Sequence, residues 1–226
     1  IRLWLGSSKS RFFNGKNVIV DENINSNKLA PPNFPIDSNG LTGCLSLINV
    51  NIKNVSLFAK NSSCEDAINF INSTGSINEI SIKNSFSDSL DVDFSKMKFN
   101  LINISSAIND CVDFSAGNYE IISLKLDKCG DKGISIGEKS NVQIGTININ
   151  NAKIGIATKD SSMLILNNAS LRNSKTCVSA YNKKQEFQGG FIKMKNFNCV
   201  NYINQFDIDK LSNVVLNNIK IKKNFN

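Results

Sequence analysis

The sequence predicts an all-β chain, a single-stranded parallel β-helix or solenoid of about seven to nine coils. Three observations support this prediction. Between residues 42 and 226 a unit of two short apolar strands recurs roughly every 21 to 25 residues. A unit of that length cannot bury its own apolar face, so the period indicates coils stacked on one another. All three prolines lie in residues 31–35, and the proline-free remainder suits a backbone that is paired almost throughout.

Each repeat begins with a strand that follows a small or acidic turn, and a second apolar strand comes after it. Side chains alternate between apolar and polar in both, which is the period of a strand and not of a helix. The first strands read CEDAINF, DSLDVDF, DCVDF, DKGISI, IGIAT, TCVSAY and NYINQF. Residues 1–41 are predicted to be an irregular N-terminal or capping segment, whose IRLWL and NVIVDENI belong to an earlier coil or to the cap. Residues 42–226 are predicted to form the parallel β-helix, with a basic C-terminal end that protects its open edge.

Aligning the repeats predicts which side chains point inward. In the first strands these include Ile68, Phe70, Val92, Phe94, Val112, Phe114, Ile134, Ile136, Ile156 and Val178. In the second strands they include Ile80, Ile82, Ile102, Ile104, Leu124, Leu126, Ile147, Ile149, Leu164, Leu166, Met194 and Phe197. A column of small residues follows, namely Ser85, Ala107, Cys129, Ala152 and Ser174, beside Asn84, Asn151 and Asn173. The asparagines predict a partial ladder at a tight turn.

The six cysteines fall into three pairs, Cys44 with Cys64, Cys111 with Cys129 and Cys177 with Cys199. Within each pair the separation is close to one coil, so the two residues come back to neighbouring positions about 4.8 Å apart. That distance suits a disulfide, although six cysteines allow 15 connectivities and buried thiols or a metal remain alternatives. Disulfides favour an extracellular or cell-surface location.

Composition narrows the classes of function. The chain has 226 residues, a net charge of +7 and no histidine, which disfavours Ser-His-Asp, Cys-His and zinc-hydrolase chemistry. Its positive charge favours an acidic partner, but the scarcity of Trp and Tyr disfavours nucleic acid. No apolar run approaches the roughly 20 residues of a membrane helix, so no membrane insertion is expected. Because the chain starts at Ile1, we expect it to be part of a longer chain or surface assembly.

The repeats resemble right-handed parallel β-helix proteins of the pectate-lyase-like class over roughly residues 42–215. The runs SSCEDAINFINS, DSLDVDFS, INDCVDFSAGNYE, KCGDKGISIGEKS, IGIATKDSS and YNKKQEFQGG are also similar to the β-helix region of large bacterial surface proteins, some of which carry a spore-coat-H-like domain. This resemblance implies a secreted or surface module and specifies no reaction. The absence of histidine departs from the His-Gly signature of polygalacturonases.

Three aspartates form the first candidate site. Asp91 and Asp93 alternate with Val92, so both are predicted to face outward, and Asp113 is predicted to share the phase of Asp93 one coil later. Carboxylates spaced about 5 to 7 Å apart overlap the separations used by glycosidases, or bind a cation such as Ca²⁺. The alternative is a solvated acidic patch. No other cofactor or metal is predicted.

A mixed cluster forms the second candidate site, beside the first. Glu138 and Lys159 are predicted to join Asp93 and Asp113 as catalytic groups. Ligand contacts are predicted for Asp91, Asp160, Tyr181, Lys183 and Lys184, and the insertion YNKKQEFQGG is predicted to wall this face. A uronate lyase would need a Lys or Tyr base with a lowered pKa. The alternative is a ladder of surface ion pairs worth little each.

The leading prediction is therefore a secreted or surface module that binds an acidic polysaccharide on its outer face. A polysaccharide lyase or hydrolase acting on such a glycan, and a purely structural spacer or adhesin segment, are the alternatives.

Overall fold

The structure, a computed structural model, describes residues 3–14, 17–21 and 40–222. These residues form strands and turns and contain no helix. The strands are β1 (Leu3–Asn14), β2 (Asn17–Asp21), β3 (Gly43–Ser62), β4 (Asp66–Ile71), β5 (Thr74–Ser85), β6 (Asp88–Asp93), β7 (Lys96–Ala107), β8 (Val112–Ser115), β9 (Asn118–Gly137), β10 (Asn141–Lys159), β11 (Met163–Tyr181), β12 (Phe191–Val200), β13 (Asn204–Ile208), β14 (Asn213–Leu216) and β15 (Ile219–Lys220).

The strands stack in parallel as a β-solenoid of about eight turns, which confirms the predicted fold class. One wall, the first-strand sheet, contains β4, β6, β8, the C-terminal halves of β9, β10 and β11, and β13. The other wall, the second-strand sheet, contains β5, β7, the N-terminal halves of β9, β10 and β11, then β12 and β14. The long strands β9, β10 and β11 run from the second-strand sheet round a corner into the first.

That corner is built from residues with a left-handed backbone. Positive φ angles recur at Asn61, Asn84, Ser106, Lys128, Asn151, Asn173 and Asn201, one per coil. Asparagine tolerates this conformation better than most residues. Asn84 Nδ2 donates to Asn61 Oδ1 at 2.9 Å, and Asn201 Nδ2 donates to Asn173 Oδ1 at 3.0 Å. The predicted asparagine ladder and the column of small residues beside it, from Ser85 to Ser174, are both confirmed.

The apolar core fills the space between the sheets as columns of like residues. Val112, Ile134 and Ile156 lie in one register column and are fully buried. Phe99 and Tyr119 extend a run of buried rings through Phe70 and Phe114. Of the predicted inward residues Phe94 is wrong: its side chain is 61% exposed. Its φ is 50°, so the strand has ended and the chain has turned before this residue.

The three predicted disulfides are present. Cys44–Cys64, Cys111–Cys129 and Cys177–Cys199 have Cα–Cα distances of 5.4, 5.4 and 6.4 Å. All six cysteines are paired, so the free-thiol and metal alternatives do not apply. Each bridge ties neighbouring coils together, and three such bridges are consistent with an extracellular protein.

At the two ends of the solenoid further strands join the stack. β1 and β2 both pair in parallel with β3, so the N-terminal segment contributes strands to the same sheet. At the other end β15 turns back antiparallel on β14 and pairs Val215 with Lys220. Of the basic tail, Lys220 and Lys222 are exposed, and Lys223 lies outside the described residues. No helix in the described ranges is long and apolar enough to cross a membrane.

Candidate aspartate site

Six aspartates gather along the first-strand sheet and the turn before β8, and we name this group the aspartate face; Asp66 and Asp110 in it are buried. The six are Asp66, Asp88, Asp91, Asp93, Asp110 and Asp113, carried by β4, β6, β8 and the turn before β8. Asp91 pairs in register with Asp113, whereas Asp93 lies beside Ser115. The predicted match of Asp113 with Asp93 is therefore wrong, because the coil is two residues longer than that alignment assumes.

Two columns of polar side chains build this face. In the first, Asp66 pairs with Asp88, and the backbone N–H of Asp110 donates to Asp88 Oδ1 at 2.8 Å. Asn109 Nδ2 donates to the same oxygen at 2.7 Å. The column ends at Lys132, whose backbone N–H donates to Asp110 Oδ1 at 2.9 Å.

The second column runs through Asn69, Asp91, Asp113 and Ser135. Asn69 is buried at 1% exposure, and its Nδ2 donates to Asp91 Oδ2 at 3.1 Å. The side chain of Asp113 is 24% exposed. Hydrogen bonds thus link consecutive coils across the face, and each aspartate is partly withdrawn from water.

Burial raises the pKa of these carboxyl groups. It brings the pKa of Asp66 to about 8, that of Asp88 to about 7 and that of Asp93 to about 6, and neighbouring carboxylates add to the effect. The pKa of Asp91 also lies well above its ordinary value, mainly through burial and then through Asp66 and Asp93. Near neutral pH some of these groups are carboxylic acids and others are carboxylates.

Lys159 is the cation closest to Asp113. It is 7% exposed, so it lies in the interior of the face and not on the open ridge that the sequence predicted. Its Nζ donates to Ser135 Oγ at 2.7 Å and lies 3.8 Å from Asp113 Oδ2. The side chain crosses Gly137, where a Cβ would come within 2.7 Å of Lys159 Cε. Burial raises the pKa of Asp113, and the charge of Lys159 opposes that rise.

A second ion-pair group borders the face. The ammonium of Lys132 lies 3.4 Å from Asp110 Oδ2 and pairs with Asp131 as well, which in turn lies 3.3 Å from Lys153. Burial opposes the charge on Lys132, but its two carboxylate partners outweigh burial and raise its pKa. Both lysines next to the aspartates, Lys159 and Lys132, therefore already form ion pairs within the protein.

The insertion between β11 and β12 contacts earlier coils, through Asp160 and Glu138. Asp160 is fully buried, and its Oδ1 accepts the backbone N–H groups of Lys183 and Lys184 at 2.7 and 2.8 Å. Lys184 pairs with Glu138, two coils earlier. Asp160 therefore shapes the loop and does not face a ligand, while Glu138 and Lys184 form the loop's outer attachment.

Tyr181 stacks in register beside Lys159 at the edge of the face. Burial is the main cause that raises the pKa of its phenol above the ordinary value, and nearby carboxylates add to it. This direction is the opposite of what a tyrosine base requires. The sequence-predicted residues are thus brought into one region, but Asp160 and Lys159 are interior and Tyr181 is poorly suited to proton abstraction.

Three buried polar atoms in the second column have no hydrogen-bond partner among the described residues: Ser46 Oγ, Asn69 Oδ1 and Asp113 Oδ1. Asp160 Oδ2, next to the face, is a fourth. A buried acceptor without a donor costs free energy, so each of these oxygens calls for a donor such as an internal water or a ligand hydroxyl. No group of three or more His, Cys, Asp or Glu side chains in the described residues is arranged to hold a metal ion.

The sequence analysis missed a groove on the second-strand sheet. It measures about 670 Å³ and is lined in part by Lys125, Asn148, Asn150 and Arg172. The cations come from different coils, so only the register brings them together. The one feature of the sequence that could have predicted the groove is that these side chains occupy outward-facing positions in the alternation of their strands.

Comparisons with known proteins identified no relative of this chain. No family model matches the chain, and neither a curated protein nor a solved structure matches it. The structure shows a parallel β-solenoid of about eight turns, and no match supports the resemblance to the pectate-lyase-like class or to a spore-coat-H-like domain.

Proposed function

We propose that this protein is a secreted or cell-surface solenoid that binds a glycan on its aspartate face. The observation that supports the proposal is the column of outward aspartates Asp91 and Asp113, in which the side chain of Asp113 is 24% exposed and its Oδ1 has no partner among the described residues. A glycan hydroxyl group that reaches Asp113 can donate to it, whereas Asn69 is 1% exposed and holds Asp91 in place. The coil repeat of about 4.8 Å is close to the length of one sugar ring along a chain, so successive rings can meet successive coils.

For this face we propose a neutral glycan as the ligand, in place of the acidic polysaccharide that the net charge led us to expect. Lys159 and Lys132 are the lysines beside the aspartates, and both are paired with Asp113, Asp110 or Asp131. An anionic sugar would approach Asp93, which is largely ionised at neutral pH, and could not pair with Lys159 or Lys132 without breaking their existing ion pairs. Hydroxyl groups carry no such penalty.

A glycan array tests the binding with the parent, Asp113→Asn and the control Glu120→Gln. The amide replaces one carboxylate oxygen by an NH₂ donor and removes the ion pair with Lys159, while it keeps the side-chain shape. Glu120 is exposed on the second-strand side and pairs with Lys98, so its change removes one carboxylate away from the face. We expect neutral glycans to be retained by the parent and the control and lost by Asp113→Asn. Equal retention by all three proteins would refute the proposal, and no retention by any of them would favour the structural spacer.

Hydrolysis of the bound glycan is a second candidate function, favoured by the pairing of Asp91 with Asp113. Burial raises the pKa of Asp91, which favours the protonated form that a general acid needs; burial raises the pKa of Asp113 as well, and Lys159 opposes that rise. Registered neighbours in a parallel sheet lie about 4.8 Å apart, near the roughly 5 to 5.5 Å carboxyl separation of retaining glycosidases. In this role Asp91 protonates the leaving oxygen and Asp113 attacks the anomeric carbon.

Release of reducing ends from neutral glycans tests the second candidate. We expect cleavage with retention of anomeric configuration, detected by NMR of the first product, and its loss in Asp91→Asn. Inversion would contradict the Asp91–Asp113 assignment. Binding without any product would leave the protein a binder. Tyr181 does not support the lyase alternative, because a tyrosine base requires a lowered pKa and the pKa of Tyr181 is raised.

A further inference from the structure

A polar groove with unpaired cations lies on the second-strand sheet, away from the aspartate face. It crosses four stacked strands, β7, β9, β10 and β11, where Lys125, Asn148 and Ser170 share one register column. Asp127, Asn150 and Arg172 share the next column. Four coils span roughly 15 Å along the solenoid axis, enough for about three sugar rings in line.

The groove continues round the asparagine corner. Asn173 lines both the first groove and a second one of about 480 Å³, which also contains Lys128, Lys153 and Lys175. We name the two together the basic groove. Its cations occur on three consecutive strands, with Lys125 and Lys128 on β9, Lys153 on β10, and Arg172 and Lys175 on β11.

Most of these cations form no ion pair with a residue in the described ranges. Lys125, Lys128, Arg172 and Lys175 are exposed and form no ion pair with any residue that the structure describes. Lys153 alone is paired, at 3.3 Å from Asp131. Asp127 is the single carboxylate among the described lining residues, and its Oδ1 accepts a hydrogen bond from Asn150 at 2.6 Å.

We propose that the basic groove is a second binding site, which takes a linear anionic glycan with carboxylate or sulfate groups repeated along its chain. Cations that recur coil by coil match a ligand whose charge recurs sugar by sugar. Between them, Asn148 and Ser170 are exposed and offer hydrogen bonds to hydroxyl groups. Nucleic acid fits less well, because no aromatic side chain lines the groove to stack on a base.

This site is independent of the aspartate face and of any cleavage there. Its ligand is of the same chemical class, a glycan, but its recognition rests on charge, while the aspartate face offers orphaned acceptors. An acidic ligand in the basic groove also agrees with the net charge of +7 better than a ligand on the aspartate face does.

The test is fluorescence anisotropy with labelled oligogalacturonate and a labelled heparin oligosaccharide, at low and at raised salt. The variant is Lys125→Gln/Arg172→Gln/Lys175→Gln, and the matched control is Lys53→Gln/Lys96→Gln/Lys193→Gln, which removes three exposed lysines outside the groove. We expect at least one of the two anionic glycans to bind the parent and the control equally, to bind more weakly as salt rises, and to bind the groove variant about tenfold more weakly.

Three results would overturn the proposal. The first is an equal loss of affinity in the groove variant and in the control, which would show that the attraction depends on net charge. The second is that neither labelled glycan binds the parent protein. A labelled single-stranded oligonucleotide could bind the parent more tightly than both glycans, which would assign the groove to nucleic acid. Asp113→Asn should bind the anionic probes as the parent does, so failure at one site is distinguishable from failure at the other.

Discussion

Asp88 offers a direct test of the burial of the aspartate face, through the pH dependence of stability. Its folded pKa is about 7, against an ordinary value of 3.8. Because the folded pKa is raised, the fold favours the protonated group: the contribution to stability is complete below 3.8, declines as pH rises toward 7 and is gone above it. We therefore expect the protein to unfold more easily at pH 8 than at about pH 4.5.

The magnitude follows from the size of the shift. Roughly three pKa units correspond to about 4 kcal/mol at 1.4 kcal/mol each. We expect about half of that, because Asp88 is partly exposed and its neighbours titrate with it. Asp88→Asn keeps an oxygen that can accept the N–H of Asp110 but cannot ionise. Relative to the parent, the variant should gain about 2 kcal/mol in going from acid to alkaline pH.

The assay is urea unfolding followed by circular dichroism across that pH range. In thermal melts the same gain should appear as a change of about 4 to 8 °C in the melting-temperature difference between variant and parent. Asp127→Asn, outside the aspartate face, controls for the loss of one carboxylate. If the curves of parent and Asp88→Asn against pH run parallel, Asp88 is not buried as described and the reasoning fails.

Three further perturbations test other parts of the fold. Replacing Cys111 and Cys129 by alanine should lower the free energy of unfolding by about 3 kcal/mol, measured by urea unfolding without reductant, because a loop of 18 residues is opened. Gly75→Ala should destabilise the protein strongly, since a Cβ there would lie 1.9 Å from the Ile52 carbonyl oxygen; a melting temperature within a degree or so of the parent would contradict this. Asp160→Ala should release the loop, so that trypsin cleaves after Lys183 or Lys184 faster than in the parent, whereas an unchanged cleavage rate would mean that other contacts hold it.

The repeat was readable from the sequence because every coil imposes the same requirements. Inward residues such as Val112, Ile134 and Ile156 must be apolar to fill one column, and the turn favours asparagine where φ is positive. The disulfides follow from the same repetition, since residues one coil apart return to adjacent positions. Periodicity therefore predicts both the core and the covalent links.

The candidate site was less predictable because it depends on departures from the repeat. A change of two residues in coil spacing moves the partner of Asp113 from Asp93 to Asp91. Lys159 is interior because Gly137, one coil earlier, leaves room for its side chain, and no pattern within its own strand indicates that. The alternation rule fails at Phe94 for a similar reason, since the strand ends there.

Burial on the aspartate face also changes how the net charge should be understood. The formal value of +7 treats every carboxyl group as ionised. Asp66 has a pKa of about 8, so it mostly holds its proton at neutral pH, and the pKa of Asp91 is raised in the same direction by burial; the folded protein is therefore more positive than its formula. The aspartate face is then a surface of hydrogen-bonding acids with few free charges, while the exposed cations of the basic groove act without compensation from it. One solenoid can therefore present a weakly charged surface to hydroxyl groups and a cationic surface to acidic groups. The two surfaces are separate because the chain turns a corner within each coil, so that the first-strand and second-strand sheets face different sides.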